Sequence, residues 1–275
     1  MHKVISKDGT PIAYDKFGKG PAVILVGGAL SDRAAGAPLA ALLAPDFTVF
    51  TIDRRGRGDS GDTPPYAVER EVEDINALIA AAGGSAFVMG NSSGAVLALE
   101  AAARGLAIKK LAMFEPPFIV DDTRPPVPQD YVQHINELIA AGRRGDAVQY
   151  FMIEAVSAPA EIVAQMRNTP MWSALEKIAH TLTYDGTVMG DSMRGKPLSP
   201  EHWATVTMPT LVIDGGDSPT WMRHSAQSLA NILPNAQYRT LAGQTHNANP
   251  KVLAPVLIEF FSTQNHSLNR EAASR

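Results

Sequence analysis

A doubly wound, mostly parallel α/β sheet of eight strands with one helical insertion is the fold that the sequence predicts. Three observations predict it. Short β-branched apolar runs alternate with segments of helical spacing in the first and last parts of the chain, the pattern of strands covered by helices on both faces. Apolar residues make up 45% of the 275-residue chain and charged ones 19%, enough to fill the core of one large domain. Between about 117 and 208 the alternation stops, leaving helical stretches and prolines without a convincing strand. The sheet domain is therefore expected over 1–116 and 209–275, and an inserted helical lid over 117–208.

Taken in order, "KVIS" and "PIAYDKF" flank Asp8-Gly9, a turn signal between two strands. "AVILVG" (22–27) is a continuous apolar run of the kind buried on both sheet faces. "SDRAAGAPLAALLA" has helical spacing and starts at a Ser31 or Asp32 cap. "FTVFTID" (47–53) predicts a strand, "VEREVEDINALIAAA" (68–82) a helix, "AFVMG" a strand, Ala95 to Arg104 a helix and "IKKLAMFE" (108–115) a strand. In the insertion, "DYVQHINELIAAGRRGDAVQYFMIEAV" predicts a helical hairpin turned at Gly142–Asp146, and "PAEIVAQMRN" and "MWSALEKIAHTL" two more helices. Strand "TLVIDGG" (210–216), helix "TWMRHSAQSLANIL", strand "AQYRTLAG" and helix "KVLAPVLIEFF" complete the alternation, and the polar tail from about Ser262 is expected to fray.

Composition narrows the function classes. The formal charge is −4, with 24 basic against 28 acidic residues, which argues against a nucleic-acid or anionic-membrane surface. There is no cysteine, so thiolate nucleophiles, disulfides and cysteine metal sites are excluded. The N-terminal segment has no signal-like apolar region, and the longest apolar runs fall far short of the roughly 20 residues a membrane span requires. A cytoplasmic protein acting on a small apolar molecule is expected, with no cofactor and no metal; the oligomeric state is open.

The chemistry concentrates at strand ends, where open sheets of this kind bind ligands. Gly90-Asn91-Ser92-Ser93-Gly94 has the form G-x-S-x-G between a strand and a helix. That context holds a serine on a sharp turn with its hydroxyl above the sheet edge, and small neighbours let the turn close. Ser92 is the expected nucleophile, and the Ser93 backbone N–H, at a helix start, the expected oxyanion donor. A serine hydroxyl needs a base within reach. Among seven histidines, His246 in "RTLAGQTHN" follows the last strand at the same edge. For the acid that orients it, Asp217 in "VIDGGDSPTWM" is preferred and Glu115, at the end of "LAMFE", is the alternative. Gly27-Gly28 allows close backbone approach to a ligand, and Ala29 is the expected second oxyanion donor. Adaptable Met and aromatic residues of the insertion, with Trp221 and Met222, suit an apolar pocket. Gly28, Trp172 and Trp221 are the substrate-binding candidates.

"VILVGGAL", "TIDRRGRGDSG", "GNSSG", "LVIDGGDSP" and "GQTHN", in this order, resemble the α/β-hydrolase family of lid-bearing serine hydrolases. The resemblance covers nearly the whole chain and is weakest over the insertion. It implies a Ser–acid–His triad and makes the loop from Asp53 to Ser60, which looks like the family's D-x-R-G-x-G-x-S, structural support. Two positions depart from the pattern: Gly27-Gly28 replaces His-Gly, and Asp217 stands one residue short of the family acid's spacing, which keeps Glu115 open. Serine in place of the aspartate of dehalogenases and epoxide hydrolases points to acyl transfer. The expected activity is hydrolysis of a carboxylic ester, lactone or thioester. C–C hydrolysis, lyase or cyclase chemistry or perhydrolysis on the same fold is the alternative, with a ligand-binding receptor third.

Overall fold

A computed structural model describes residues 1–263 of the chain. The strands β1 (His2–Ile5), β2 (Pro11–Phe17), β3 (Ala22–Val26), β4 (Thr48–Ile52), β5 (Ala86–Asn91), β6 (Ile108–Phe114), β7 (Thr210–Gly215) and β8 (Ala236–Leu241) form one eight-stranded sheet. Their order is β1-β2-β4-β3-β5-β6-β7-β8, with β1 and β2 antiparallel to their neighbours and β4 to β8 parallel. This is the architecture that the alternation of strands and helices predicts.

The helices α1 (Arg33–Leu43), α2 (Val68–Ala81) and α3 (Ser93–Ala103) follow β3, β4 and β5. Between β6 and β7 lie α4 (Tyr131–Ala140), α5 (Arg144–Tyr150), α6 (Ala160–Met166), α7 (Pro170–Lys177) and α8 (Leu182–Met189), with short helical turns and no strand. α9 (Thr220–Ile232) and α10 (Pro250–Ser262) follow β7 and β8. Asp32 caps α1, its carboxylate accepting from the Ala34 N–H at 2.9 Å.

Period-two alternation along the strands sends side chains to two cores. Val23 and Leu25 pack with Leu43, Leu257 and Phe261 under α1 and α10. Ile24 and Val26 pack with Ile75, Leu99 and Leu229 under α2, α3 and α9. The inserted helices add to this second core through Tyr131, Ile135, Leu182 and Val188; they form a layer continuous with the sheet's own packing.

α8 departs from expectation. "MWSALEKIAHTL" does not form one helix: α7 ends at Lys177, a short turn spans Ala179–Thr181, and α8 begins at Leu182. α8 carries Thr183, Gly186 and Thr187, all weak helix formers, and is buried along most of its length, so no amphipathic stripe marks it. Its contacts with α2, α3 and α4 supply the stability that propensity does not. Among the described residues no helix is long and apolar enough to cross a membrane. The polar tail beyond 263, with His266, lies outside the described residues.

Candidate active site

Ser92 joins β5 to α3 with φ 55° and ψ −129°, a backbone conformation that costs a non-glycine residue energy and persists only where the surroundings enforce it. Its N–H donates to the Phe114 carbonyl of the neighbouring β6 at 2.9 Å. A Cβ at Gly90 would sit 2.4 Å from the Ala95 Cα, and one at Gly94 2.4 Å from the Gly27 carbonyl oxygen. The two glycines therefore let the first turn of α3 press against β5 and the end of β3.

His246 follows β8, and its Nδ1 lies 2.7 Å from Glu115 Oε2. A carboxylate only accepts, so Nδ1 donates and Nε2 is left as the acceptor. Glu115 is fully buried one residue past β6, and its other oxygen accepts from the Gly215 N–H at 2.8 Å. The preference for Asp217 is corrected: Asp217 is exposed, and among the described residues it forms no hydrogen bond or ion pair with His246, which pairs with Glu115 instead. The reason is register. Phe114 pairs with Asn91 on one side and with Ile213 on the other, so Glu115 leaves the sheet beside Ser92 while its carboxylate spans to the end of β7. Asp214 is also buried, but accepts from the Tyr238 hydroxyl at 2.6 Å and braces β7 against β8. His180, His202 and His224 stand near Asp62, Glu100 and Asp121 instead.

Ser92, Ser93, Ala29 and His246 all border one cavity enclosing about 470 Å³ of empty space, the open solvent at its mouth included. Among the described residues no hydrogen bond joins the Ser92 hydroxyl to the imidazole. A Cβ at Gly28 would meet the Ser92 Cβ at 2.8 Å, which brings the β3–α1 loop against the nucleophile turn. The cavity wall is apolar, built from Tyr131, Phe151, Met189, Met193, Trp221 and Met222. Trp221 borders this cavity. Trp172 does not: it is buried among the inserted helices, with the Arg167 guanidinium over its ring at 6.0 Å. Both tryptophans carry the same compositional signal, and only the path of the chain separates a wall residue from a packing one.

Sequence reasoning missed Asp185. It lies on α8, borders the same cavity and is buried. Its Oδ1 accepts from Arg54 Nη1 at 2.6 Å and from the Ser93 hydroxyl at 2.7 Å, and its Oδ2 from Arg57 Nη2 at 2.6 Å. Burial pushes its carboxyl up, but the charges of Arg57 and Arg54 and the Ser93 hydroxyl outweigh it and hold the group below the usual carboxylate range. Arg54 also forks onto Glu71 at 2.6 and 2.7 Å. The only signal in the sequence was an unusual density of arginine in Asp53-Arg54-Arg55-Gly56-Arg57. Among the described residues no cluster of three or more histidine, cysteine or acidic side chains could hold a metal ion.

Comparison with known proteins agrees with this fold. A family model described as "Alpha/beta hydrolase family" matches residues 23–256. A pimeloyl-[acyl-carrier protein] methyl ester esterase of Xanthomonas campestris pv. campestris is 29% identical over 245 residues, covering 84% of this chain and 90% of that protein. A crystal structure of an alpha/beta hydrolase from Sphaerobacter thermophilus superposes with a TM-score of 0.89 at 60% identity, over 95% of this chain and 100% of that one. An enol-lactonase from Burkholderia xenovorans shares the fold, with a TM-score of 0.69 at 22% identity over 95% of this chain and 100% of its own. The chain belongs to the alpha/beta hydrolase family.

Proposed function

We propose that the protein is a serine hydrolase that cleaves carboxylic esters of small to medium apolar acids through an acyl-enzyme on Ser92. The observation that carries this reading is the Glu115–His246 contact of 2.7 Å beside a strained serine on the same cavity. Glu115 fixes the imidazole with Nε2 available, and His246 removes the Ser92 proton as the hydroxyl attacks the ester carbonyl. The tetrahedral oxyanion is held by the backbone N–H groups of Ser93 and Ala29. His246 then passes the proton to the leaving alkoxide, and water attacks the acyl group by the reverse course.

The Met and aromatic wall favours an uncharged, compact acyl group. The similarity to an enzyme whose name specifies methyl ester cleavage supports ester chemistry. The test is turnover of p-nitrophenyl butyrate by the wild type and by Ser92→Ala. Loss on the order of 10⁴-fold or more in kcat is expected, and full activity in the variant would overturn the assignment.

A further inference from the structure

We infer that Asp185 and Arg57 are positioning residues for both proposed oxyanion donors, joined in one buried chain that runs from the Ser93 hydroxyl through Asp185 and Arg57 to the Gly28 carbonyl. The inference rests on the hydrolytic reading above and extends it to side chains that no triad or oxyanion assignment includes.

The Gly28 carbonyl and the Ala29 N–H are opposite ends of one planar peptide, so fixing the direction of one fixes the other. The Gly28 oxygen accepts from Arg57 Nη1 at 2.6 Å and from the Ser31 hydroxyl at 2.7 Å. Turning the Ala29 N–H away from the cavity would strip that oxygen of both donors, one of them charged. The other Arg57 nitrogen, Nη2, donates to Asp185, whose Oδ1 takes the Ser93 hydroxyl. The residue that offers one N–H and the peptide that offers the other are thus tied to the same carboxylate. Arg57, Asp185, Ser93 and Arg54 are all buried, so solvent does little to loosen the chain. Among the described residues neither the Ala29 N–H nor the Ser93 N–H donates to another protein group; both are free for a ligand. A cation on the Gly28 carbonyl also polarises the peptide and strengthens its N–H as a donor.

The same loop contains its own control. Arg55, between the two arginines of the chain, forks onto Asp74 at 2.7 and 2.8 Å and contacts Asp8 at 3.0 Å. It is equally buried and has no bond to the Gly28 peptide or to Ser93.

The experiment compares the wild type with Asp185→Asn, Ser93→Ala and Asp74→Asn. It measures kcat and KM for p-nitrophenyl butyrate, affinity for phenylboronic acid and melting temperature. Phenylboronic acid mimics the tetrahedral state on Ser92. For Asp185→Asn, kcat is expected to fall about 10- to 100-fold, short of the full loss of one oxyanion donor, with boronate affinity falling by a similar factor and KM within about twofold. Ser93→Ala keeps both arginine pairs and its own N–H; a drop of roughly threefold to tenfold in kcat and boronate affinity is expected from the lost hydrogen bond. Asp74→Asn is expected to lower the melting temperature and leave kcat near wild type. Wild-type kcat and boronate affinity in folded Asp185→Asn would overturn the inference alone. So would an activity loss that follows melting temperature alike in Asp185→Asn and Asp74→Asn. Should Asp185→Asn not fold, Ser93→Ala decides by the same criterion. Absence of Ser92-dependent turnover in the wild type would overturn the hydrolytic reading and this inference with it.

Discussion

Two buried carboxylates meet at the candidate site, and they come from different layers of the molecule. Glu115 belongs to the sheet, one residue past β6, and its partner is His246, whose side chain is 29% exposed. Asp185 belongs to the inserted layer, and its partners are two buried guanidinium groups. An imidazole can both accept and donate a proton through its two nitrogens, whereas a guanidinium only donates. The Glu115 pair lies within the sheet part, whereas Asp185 of the inserted layer holds two arginines of the β4–α2 loop. Under the proposed hydrolytic reading, these are a responsive base and an unresponsive scaffold for developing charge.

The largest effect that sharpens this contrast falls on the sheet half. Glu115→Gln keeps the shape of the side chain but no longer holds the Nδ1–H tautomer, and kcat is expected to fall by about 10³- to 10⁴-fold. Asp217→Asn, in the exposed loop, is expected to stay within about twofold of wild type in the same ester assay. Equal losses in the two variants would dissolve the assignment of Glu115.

Stability separates the halves in the other direction. Asp185→Asn leaves the buried Arg57 guanidinium without its carboxylate partner and is expected to cost about 3–5 kcal/mol in a urea melt. Arg104→Ala, which removes exposed pairs with Glu69 and Glu100, is expected to cost under about 1 kcal/mol. Asp185 faces Arg54, Arg57 and Ser93, with Glu71 behind Arg54, and its native carboxyl is held low. Its ionised form therefore stabilises the fold fully above the unfolded carboxylate value of about 4. That contribution is lost as pH falls through the lower native value. The gap between wild type and Asp185→Asn should narrow in melts below about pH 4. A gap that widens there would show that Asp185 is not ionised in the fold.

The smallest expected effect concerns the wall. Trp221→Ala is expected to raise KM for the butyrate ester roughly tenfold, from the loss of apolar contact with the acyl chain. Trp172→Ala is expected to leave KM near wild type and to destabilise by about 3–5 kcal/mol, as a large-to-small change in packing does. A reversed pattern would mean that the inserted helices seat the substrate elsewhere.

The sheet was legible because its signals are local. Strand runs, the Asp32 cap and the G-x-S-x-G turn each lie within a few residues, and Ser92 and His246 follow from the turn and the loop after the last strand. The carboxylate partner of His246 was not, because Asp217 and Glu115 both follow strands at the same edge. What distinguishes them is that β6 lies beside β5, and that Glu115 accepts from the Gly215 N–H at the end of β7. The scaffold half was illegible for two reasons. Arg57 and Asp185 stand 128 residues apart, and the helix that brings them together carries Thr183, Gly186 and Thr187 and is buried on most sides, without an amphipathic stripe. Buried charge in a loop reads as a surface feature until its partner is found.

The central claim is that Ser92, and not the adjacent Ser93, carries the acyl group. It is tested most directly by rapid acid quench of the enzyme during turnover of p-nitrophenyl butyrate, followed by peptide mass spectrometry with fragmentation to the residue. The account predicts a butyryl group on the Ser92 oxygen, absent from Ser92→Ala. Steady ester turnover with the acyl group on Ser93 or on no residue would contradict it.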